Sequence, residues 1–268
     1  MKIEQVLAPN PGPFTLTGTN TWLFDGGGEV MVIDPGPVLA SHRHAIVTAL
    51  AGRRVAGVLV THTHSDHAPL ANPLSRDLEA PALGYAVGSD FHPDVLVVEG
   101  EQLTVGTETL NVLHTPGHSD DHLCFLVGKI LFTGDHIIGG SSAMIEDLSA
   151  YLASLKRLQG LDLERLLPGH GPEIDQPAEV IDWYLAHRQQ REAEILAAVA
   201  AGASSVEEVV EVVYREVDPS LHPLAARSVI AHLEKLALER RVTLTGVSVT
   251  TTHDVPPTTI KPHEGHHS

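Results

Sequence analysis

The 268-residue chain carries 34 acidic against 17 basic side chains, a formal charge of −17. That balance argues against a general nucleic-acid-coating role but leaves room for a nucleic-acid substrate, because bound divalent ions would make a cleft locally positive. Its 43% apolar content supports a sizeable core, and its single cysteine, Cys124, excludes an intrachain disulfide. No run of about 18 apolar residues suggests a membrane span. The N-terminus lacks a basic segment followed by an apolar stretch, so a cytoplasmic protein without a signal peptide is expected.

Residues 8–13, Ala-Pro-Asn-Pro-Gly-Pro, form a turn-rich entry. A β-hairpin is expected next, with arms at residues 15–24 and 29–33 around the loop Asp25-Gly26-Gly27-Gly28. Its second arm ends at Asp34-Pro35-Gly36-Pro37. Residues 39–51 read as a helix with Ser41 as N-cap. Residues 55–60 then make a short apolar, β-branched run of the kind that forms a buried strand. It delivers Thr61-His62-Thr63-His64-Ser65-Asp66-His67, four side chains of metal-binding type within six positions. Neutral imidazole with carboxylate suits zinc and its neighbouring transition metals.

Residues 68–100 are less legible, apart from a short strand near 80–85. A hairpin over 103–105 and 109–113 ends at His114-Thr115-Pro116-Gly117-His118-Ser119-Asp120-Asp121-His122. There Pro-Gly forces a turn with His118 at its tip. A second hairpin, 123–127 with 129–132, ends in Thr133-Gly134-Asp135-His136. Cys124 lies in its apolar run and reads as a buried small hydrophobe. Residues 147–159 show a helical apolar face, after which Leu167-Pro168-Gly169-His170-Gly171-Pro172 repeats the Pro-Gly-His device.

These ends supply two sets of ligands. His62, His64 and His118 make a three-imidazole site. Asp66, His67 and His170 make a second, and Asp135 is placed to bridge the two. Two ions at ~3.5–4 Å suit hydrolysis, with one position on each left open for water or substrate. The expected cofactor is two zinc ions, with manganese or iron compatible with the same donors. Neither Gly18-Thr19-Asn20 nor Gly26-Gly27-Gly28 has the lysine and helix of a phosphate loop. Asp34 is expected to brace the metal loop by hydrogen bonds, with a plain turn carboxylate as the other reading. His122 is read as either facing substrate or structural. Trp22 and Tyr184 are read as core.

His62-x-His64-x-Asp66-His67, with Asp34-Pro35-Gly36 upstream and His118, Asp135 and His170 downstream, resembles the metallo-β-lactamase superfamily. The resemblance covers roughly residues 14–175. It implies an α/β fold, a four-layer αββα sandwich with the metals at one edge of its sheets. Asp135 in place of a cysteine resembles the glyoxalase II and RNase Z type of site. Asn10-Pro11-Gly12-Pro13-Phe14, Gly18-Thr19-Asn20-Thr21-Trp22, Thr115-Pro116-Gly117-His118 and Pro168-Gly169-His170-Gly171-Pro172 resemble the β-lactamase-like protein 2 family. That family includes an endoribonuclease on single-stranded RNA, and the resemblance is the main reason for placing Asn20 and Thr21 at the cleft.

The expected activity is metal-dependent hydrolysis, with Asp66 orienting the nucleophile and Asp135 bridging. Single-stranded RNA is one expected substrate. A small thioester, lactone or lactam is the rival, and a non-catalytic nucleic-acid-binding protein is a third reading. The expected organisation is a catalytic domain at 1–175, a linking helix at 176–202 and a winged-helix-like domain at 203–246, with a disordered tail at 247–268. Helix, helix, helix, ribbon is the order of a winged helix. A packing or homodimerisation module is the competing reading, and residues 203–245 hold five basic and seven acidic side chains.

Overall fold

The computed structural model describes residues 1–245 and 248–251. The chain divides into two units, Met1–Ala143 with Ser154–Ile181, and Met144–Ala153 with Asp182 onward.

The first unit holds two sheets. One has six strands in chain order: β1 (Lys2–Leu7), β2 (Asn20–Asp25), β3 (Val30–Ile33), β4 (Val55–Leu59), β5 (Ala82–Gly84) and β6 (Val95–Leu96). The first three run antiparallel, and β3 to β6 run parallel. Parallel pairing needs crossovers, and two helices supply them: α1 (Ala40–Leu50) between β3 and β4, and α2 (Ala71–Leu78) between β4 and β5. The other sheet has the order β11-β10-β9-β8-β7, from β7 (Gln102–Val105), β8 (Glu108–His114), β9 (Leu123–Val127), β10 (Ile130–Gly134) and β11 (Arg165–Pro168).

Strand alternation explains why Trp22–Phe24 of β2, together with β3 and β4, are apolar at successive positions. Trp22, Phe24, Met31, Ile33 and Leu59 join Val112, Phe125, Phe132 and Leu167 of the facing sheet in one core. The intervening Leu23, Val30, Val32 and Val58 meet Ile46 and Leu50 of α1 and Leu74 of α2 in another. Both faces of the sheet are therefore buried. Phe132 joins the sheets, making edge-to-face contacts with Trp22 at 6.4 Å and Phe24 at 6.1 Å.

The second unit contains the larger part of α4 (Pro177–Ala200), then α5 (Val206–Val213), a 3-10 turn at Pro219–Leu221, α6 (His222–Leu238) and an antiparallel ribbon, β12 (Val242–Thr245) with β13 (Ser248–Thr251). Ser205 caps α5, its side chain accepting from Glu208 N–H at 3.1 Å. Ile195, Val199, Val209, Val229, Leu233 and Val242 share its core. Glu192 accepts from both Lys235 (2.6 Å) and Arg241 (2.8 Å), linking α4 to α6 and to the start of the ribbon. The remaining helix, α3 (Leu148–Gln159), begins in this unit and ends in the first, where Ser154 donates to Pro116 O at 3.0 Å.

Two sequence expectations are corrected, and three elements lie beyond them. Ser41 lies inside α1, whose N-cap is the extended Leu39 with no side-chain cap bond. The tail does not begin at 247, because Ser248–Thr251 completes the ribbon; the His-containing remainder lies outside the described residues. The strands β1 and β6 and the helix α2 were not anticipated. No helix among the described residues is long and apolar enough to cross a membrane.

Phe132 supplies the first prediction. Phe132→Ala should destabilise the protein by ~3–5 kcal/mol through lost burial and a cavity between the sheets. Urea unfolding should show a lower midpoint at constant slope. An unchanged midpoint would mean that the sheets are not joined through this ring.

Candidate metal centre

The site is assembled from strand ends of both sheets. β4 ends at Leu59, and residues 61–67 turn sharply, with His67 and Ala68 N–H groups both donating to His64 O. β8 leads into the turn that carries His118. β10 leads to Asp135, and its parallel partner β11 leads to His170.

His62, His64 and His118 form one group of candidate ligands, and Asp66, His67, Asp135 and His170 form another. In the first, His62 Nε2 lies 2.9 Å from His64 Nδ1, and His118 Nε2 lies 3.2 Å and 3.0 Å from the same two atoms. We read these as shared-ligand contacts. Burial and neighbouring imidazoles hold His62 well below its ordinary pKa and His64 down to about 4, so neither adds a second proton. Three nitrogens facing one point this closely match a common ion at the ~2.0–2.1 Å reach of a zinc–imidazole bond.

In the second group, His67 Nε2 and His170 Nε2 lie 3.2 Å apart. Asp66 Oδ2 lies 3.2 Å from His170 Nε2. Asp135 Oδ1 is 3.4 Å from His67 Nε2, while Oδ2 is 3.3 Å from His170 Nε2 and 3.7 Å from His118 Nε2 of the first group. Asp135 therefore faces both groups, and its buried Oδ1 receives no hydrogen bond. Buried carboxylate oxygens without donors are rare unless a cation takes the role.

The remaining ring nitrogens are held from behind. His62 Nδ1 meets Thr61 Oγ1 at 3.0 Å, His67 Nδ1 meets Asp34 Oδ2 at 3.0 Å, and His170 Nδ1 meets Gly18 O at 3.2 Å. Asp34 also accepts from Thr61 N–H and Thr61 Oγ1, each at 2.7 Å, so it braces the metal loop. Asn20 and Thr21 are fully buried behind the site. Asn20 Nδ2 donates to Pro168 O and Gly171 O, both at 2.9 Å, fastening the loop that carries His170. Thr21 Oγ1 donates to Asp34 O at 2.7 Å and meets His42 Nε2 at 2.8 Å. His122 is also fully buried; its Nε2 accepts from Asp135 N–H at 3.1 Å and its Nδ1 meets Thr115 Oγ1 at 3.0 Å. Of its two readings, the structural one fits this setting. His136 is buried too, beside His122 with ring centroids 5.7 Å apart.

Sequence reading missed His42, Thr61 and Thr115. Thr61 could have been found, because it sits between a strand and the first ligand. His42 and Thr115 carry no such signal.

The sequence profile of the metallo-β-lactamase superfamily matches residues 14–86 and 70–170, and that of the β-lactamase-associated winged helix domain matches residues 205–247. This chain belongs to the metallo-β-lactamase superfamily. The beta-lactamase-like protein 2 homolog of Drosophila melanogaster is 31% identical over 261 residues, covering 90% of this chain and 89% of that one. An atrochrysone carboxyl ACP thioesterase of Aspergillus chevalieri is 34% identical over 259 residues, covering 90% and 82%. The crystal structure of a metallo-β-lactamase family protein from Thermus thermophilus superposes with a TM-score of 0.77 at 23% identity, covering 97% of this chain and 98% of that one. The chain is a metallohydrolase of this superfamily, with a C-terminal winged helix, and its His/Asp cluster is consistent with a dinuclear metal centre.

The metal-free site stores protons. Burial opposes a charge on His67, but Asp135, Asp34 and Asp66 outweigh it and raise its pKa well above the ordinary value. His170 is likewise raised to about 9, because hydrogen bonding and charge from Asp135 and Asp66 overcome burial. Asp66 is lowered to about 2 by His67 and His170 despite burial. A raised histidine pKa favours folding fully below the unfolded value near ~6.5 and loses that contribution as pH rises through the folded value. Chelator-treated protein should therefore show a falling urea midpoint as pH rises from ~6.5 through about 9. In His170→Gln the fall should be shallower. A midpoint flat across that window in the parent protein would contradict the stored protons.

Proposed function

We propose that this protein is a dizinc hydrolase acting on an acyl thioester. The position of Asp135 between the two histidine groups carries the reading of a two-ion centre, and the wholly His/Asp donor set supports zinc. His62, His64 and His118 would hold one ion and Asp66, His67 and His170 the other, with Asp135 facing both. When bound, the ions supply Lewis acidity and an acidified water at neutral pH.

The chain's own residues orient that chemistry. Asp66 keeps its carboxylate ionised and is partly open to solvent, so it accepts a hydrogen bond from the incoming water and aims it. Asp34 and Thr61 hold His67 and His62 with their back nitrogens occupied. His122 fixes the backbone of Asp135.

Two observations favour a carbonyl substrate over a polyanion. Relatives at 32–34% identity, matched over 73% and 82% of their own length, are named as ACP thioesterases. Seven of the nine cationic side chains of the first unit are already paired with carboxylates: Lys2, Arg43, Arg53, Arg54, Lys129, Arg157 and Arg165. Few remain to hold a run of phosphates. The second reading, cleavage of single-stranded RNA, is favoured by the winged helix and by the β-lactamase-like protein 2 relatives.

Zinc-loaded protein should release thiol from S-acyl-glutathione and leave labelled single-stranded RNA intact. RNA cleavage without thiol release would overturn the thioester reading. Asp135→Asn removes the bridging charge at nearly constant volume. It should lose one of two zinc equivalents by elemental analysis and slow turnover by at least ~100-fold. Two retained equivalents with near-normal turnover would sink the bridge. His118→Ala should abolish turnover while leaving the far-ultraviolet circular dichroism unchanged, because its partners sit on separate preformed strand ends.

A further inference from the structure

We infer that a groove beside the metal loop receives the phosphorylated pantetheine arm of a thioester substrate, an assignment that rests on the thioester reading above. The groove has a volume of about 680 Å³ and is lined by Val38, Pro69, Pro73, Arg76, Asp90 and His92, together with Asn72. None of these residues belongs to the ligand set.

Its walls are built on the metal loop. Val38 follows Gly36, whose N–H donates to His67 O at 2.9 Å and whose carbonyl accepts from Leu70 N–H at 3.0 Å. Pro69 stands two residues beyond His67. The wall at 90–92 follows Gly88, which packs so closely on Thr63 that an added Cβ would lie 2.8 Å from the Thr63 Cβ. Asn72 fixes this wall at both backbone groups of His92, donating to its carbonyl at 2.6 Å and accepting from its N–H at 2.8 Å. The groove therefore adjoins the segment that presents His62, His64, Asp66 and His67.

The lining selects the ligand. Arg76 is exposed on the last turn of α2. Within the first unit, Arg76 and Lys156 are the two cations with no carboxylate partner within 4 Å among the described residues. The neighbouring Asp77 is engaged by Arg43. A guanidinium with its fork available matches the phosphate that ends the arm, a diester on a carrier protein, a pyrophosphate in coenzyme A and a monoester in free pantetheine 4′-phosphate. Val38, Pro69 and Pro73 offer apolar surface to the dimethyl carbon of the arm, and Asp90 accepts from its amide or hydroxyl hydrogens. One arginine, one aspartate and no phenylalanine, tyrosine or tryptophan in the lining fit poorly with a nucleic-acid strand, which needs repeated cations and stacking faces.

Calorimetric titration of the zinc-loaded protein with pantetheine 4′-phosphate and with pantetheine tests the groove without turnover. The phosphate should strengthen binding by about tenfold, and Arg76→Ala should erase that difference. Lys156→Ala, an exposed cation on α3, is the control and should preserve it. In turnover, the ratio of kcat/KM for acyl-phosphopantetheine over acyl-pantetheine should fall about tenfold in Arg76→Ala. Acyl-coenzyme A and an acylated carrier protein, run in parallel, distinguish the two sources of the arm. A fall in kcat/KM with either in Arg76→Ala supports the groove. Equal binding of the two pantetheines by the parent protein, or a ratio that survives Arg76→Ala, overturns the groove and leaves the thioesterase reading intact. Phosphate-dependent binding through Arg76 with no hydrolysis of any thioester overturns the reaction and, with it, the arm as a substrate.

Discussion

The carboxylate of Asp34 is the constraint on which the site depends. It follows β3 in the left-handed region, with φ of 50°. That conformation costs an ordinary residue ~1–2 kcal/mol, and aspartate tolerates it better than most. The bonds around it hold it there. Its N–H donates to Leu59 O at 2.9 Å, its carbonyl accepts from Thr21, and its two oxygens accept from Thr61 and His67. The proton count then fixes the tautomers. Thr61 Oγ1 has one hydrogen and gives it to Asp34, so it must accept from His62 Nδ1–H. His67 Nδ1–H likewise points at Asp34. Each imidazole is left with an Nε2 lone pair facing its cluster when neutral. One residue thus prepares a ligand in each of the two groups.

The charge balance of the site follows from the same placement. Asp34, Asp66 and Asp135 gather around His67 in a chain that is already strongly acidic. Without cations, protons on His67 and His170 neutralise part of that charge. Cation binding must displace those protons, because a ligating imidazole is neutral. The first group behaves differently. There burial and mutual repulsion keep His62 and His64 neutral from the outset, so the lone pairs of these two rings are available across the ordinary pH range. The two groups therefore have different proton costs for metal entry, although their ligands share a loop.

Legibility from sequence tracked how local each cause was. The ligand loop, the two Pro-Gly-His turns and the Gly-Asp strand end are short signals at fixed spacing, and the structure gathers their side chains into the two clusters. The hairpins were legible because apolar runs alternate with turn residues. By contrast, β1 is a partly exposed edge strand, and its six-residue register with β2 is a tertiary fact. The helix α2 is eight residues long and contains Pro73, too short for a periodic signal. Ser41 looked like a cap, but a residue's cap role depends on where the chain leaves the preceding loop. The buried polar partners were hidden for another reason. Thr21 and His42 are 21 residues apart, and nothing in either neighbourhood announces the other. Cys124 read as a small hydrophobe, and burial does raise its pKa to about 12, yet it also accepts from Thr115 at 3.2 Å. That bond completes a chain from His122 to the interior of the second sheet.

The glycines beside the ligands show why these turns have the sequences they do. β10 and β11 run parallel, with Gly134 opposite Pro168, and Gly169 N–H donates to Gly134 O at 2.7 Å. The two strand ends that carry Asp135 and His170 are thereby clamped side by side. The clamp leaves no room for side chains between them. A Cβ on Gly169 would lie 2.6 Å from both Asp135 Oδ1 and His67 Cε1. Gly134 is held at φ of 47°, and a Cβ there would come within 2.8 Å of His122 Nε2 and Thr61. Any larger residue at either position would push apart the carboxylate and the imidazoles that must share a centre. The glycines of Thr133-Gly134-Asp135 and Pro168-Gly169-His170 are therefore consequences of packing. The ligands converge only because the backbone behind them approaches closely, and glycine is the residue that permits it.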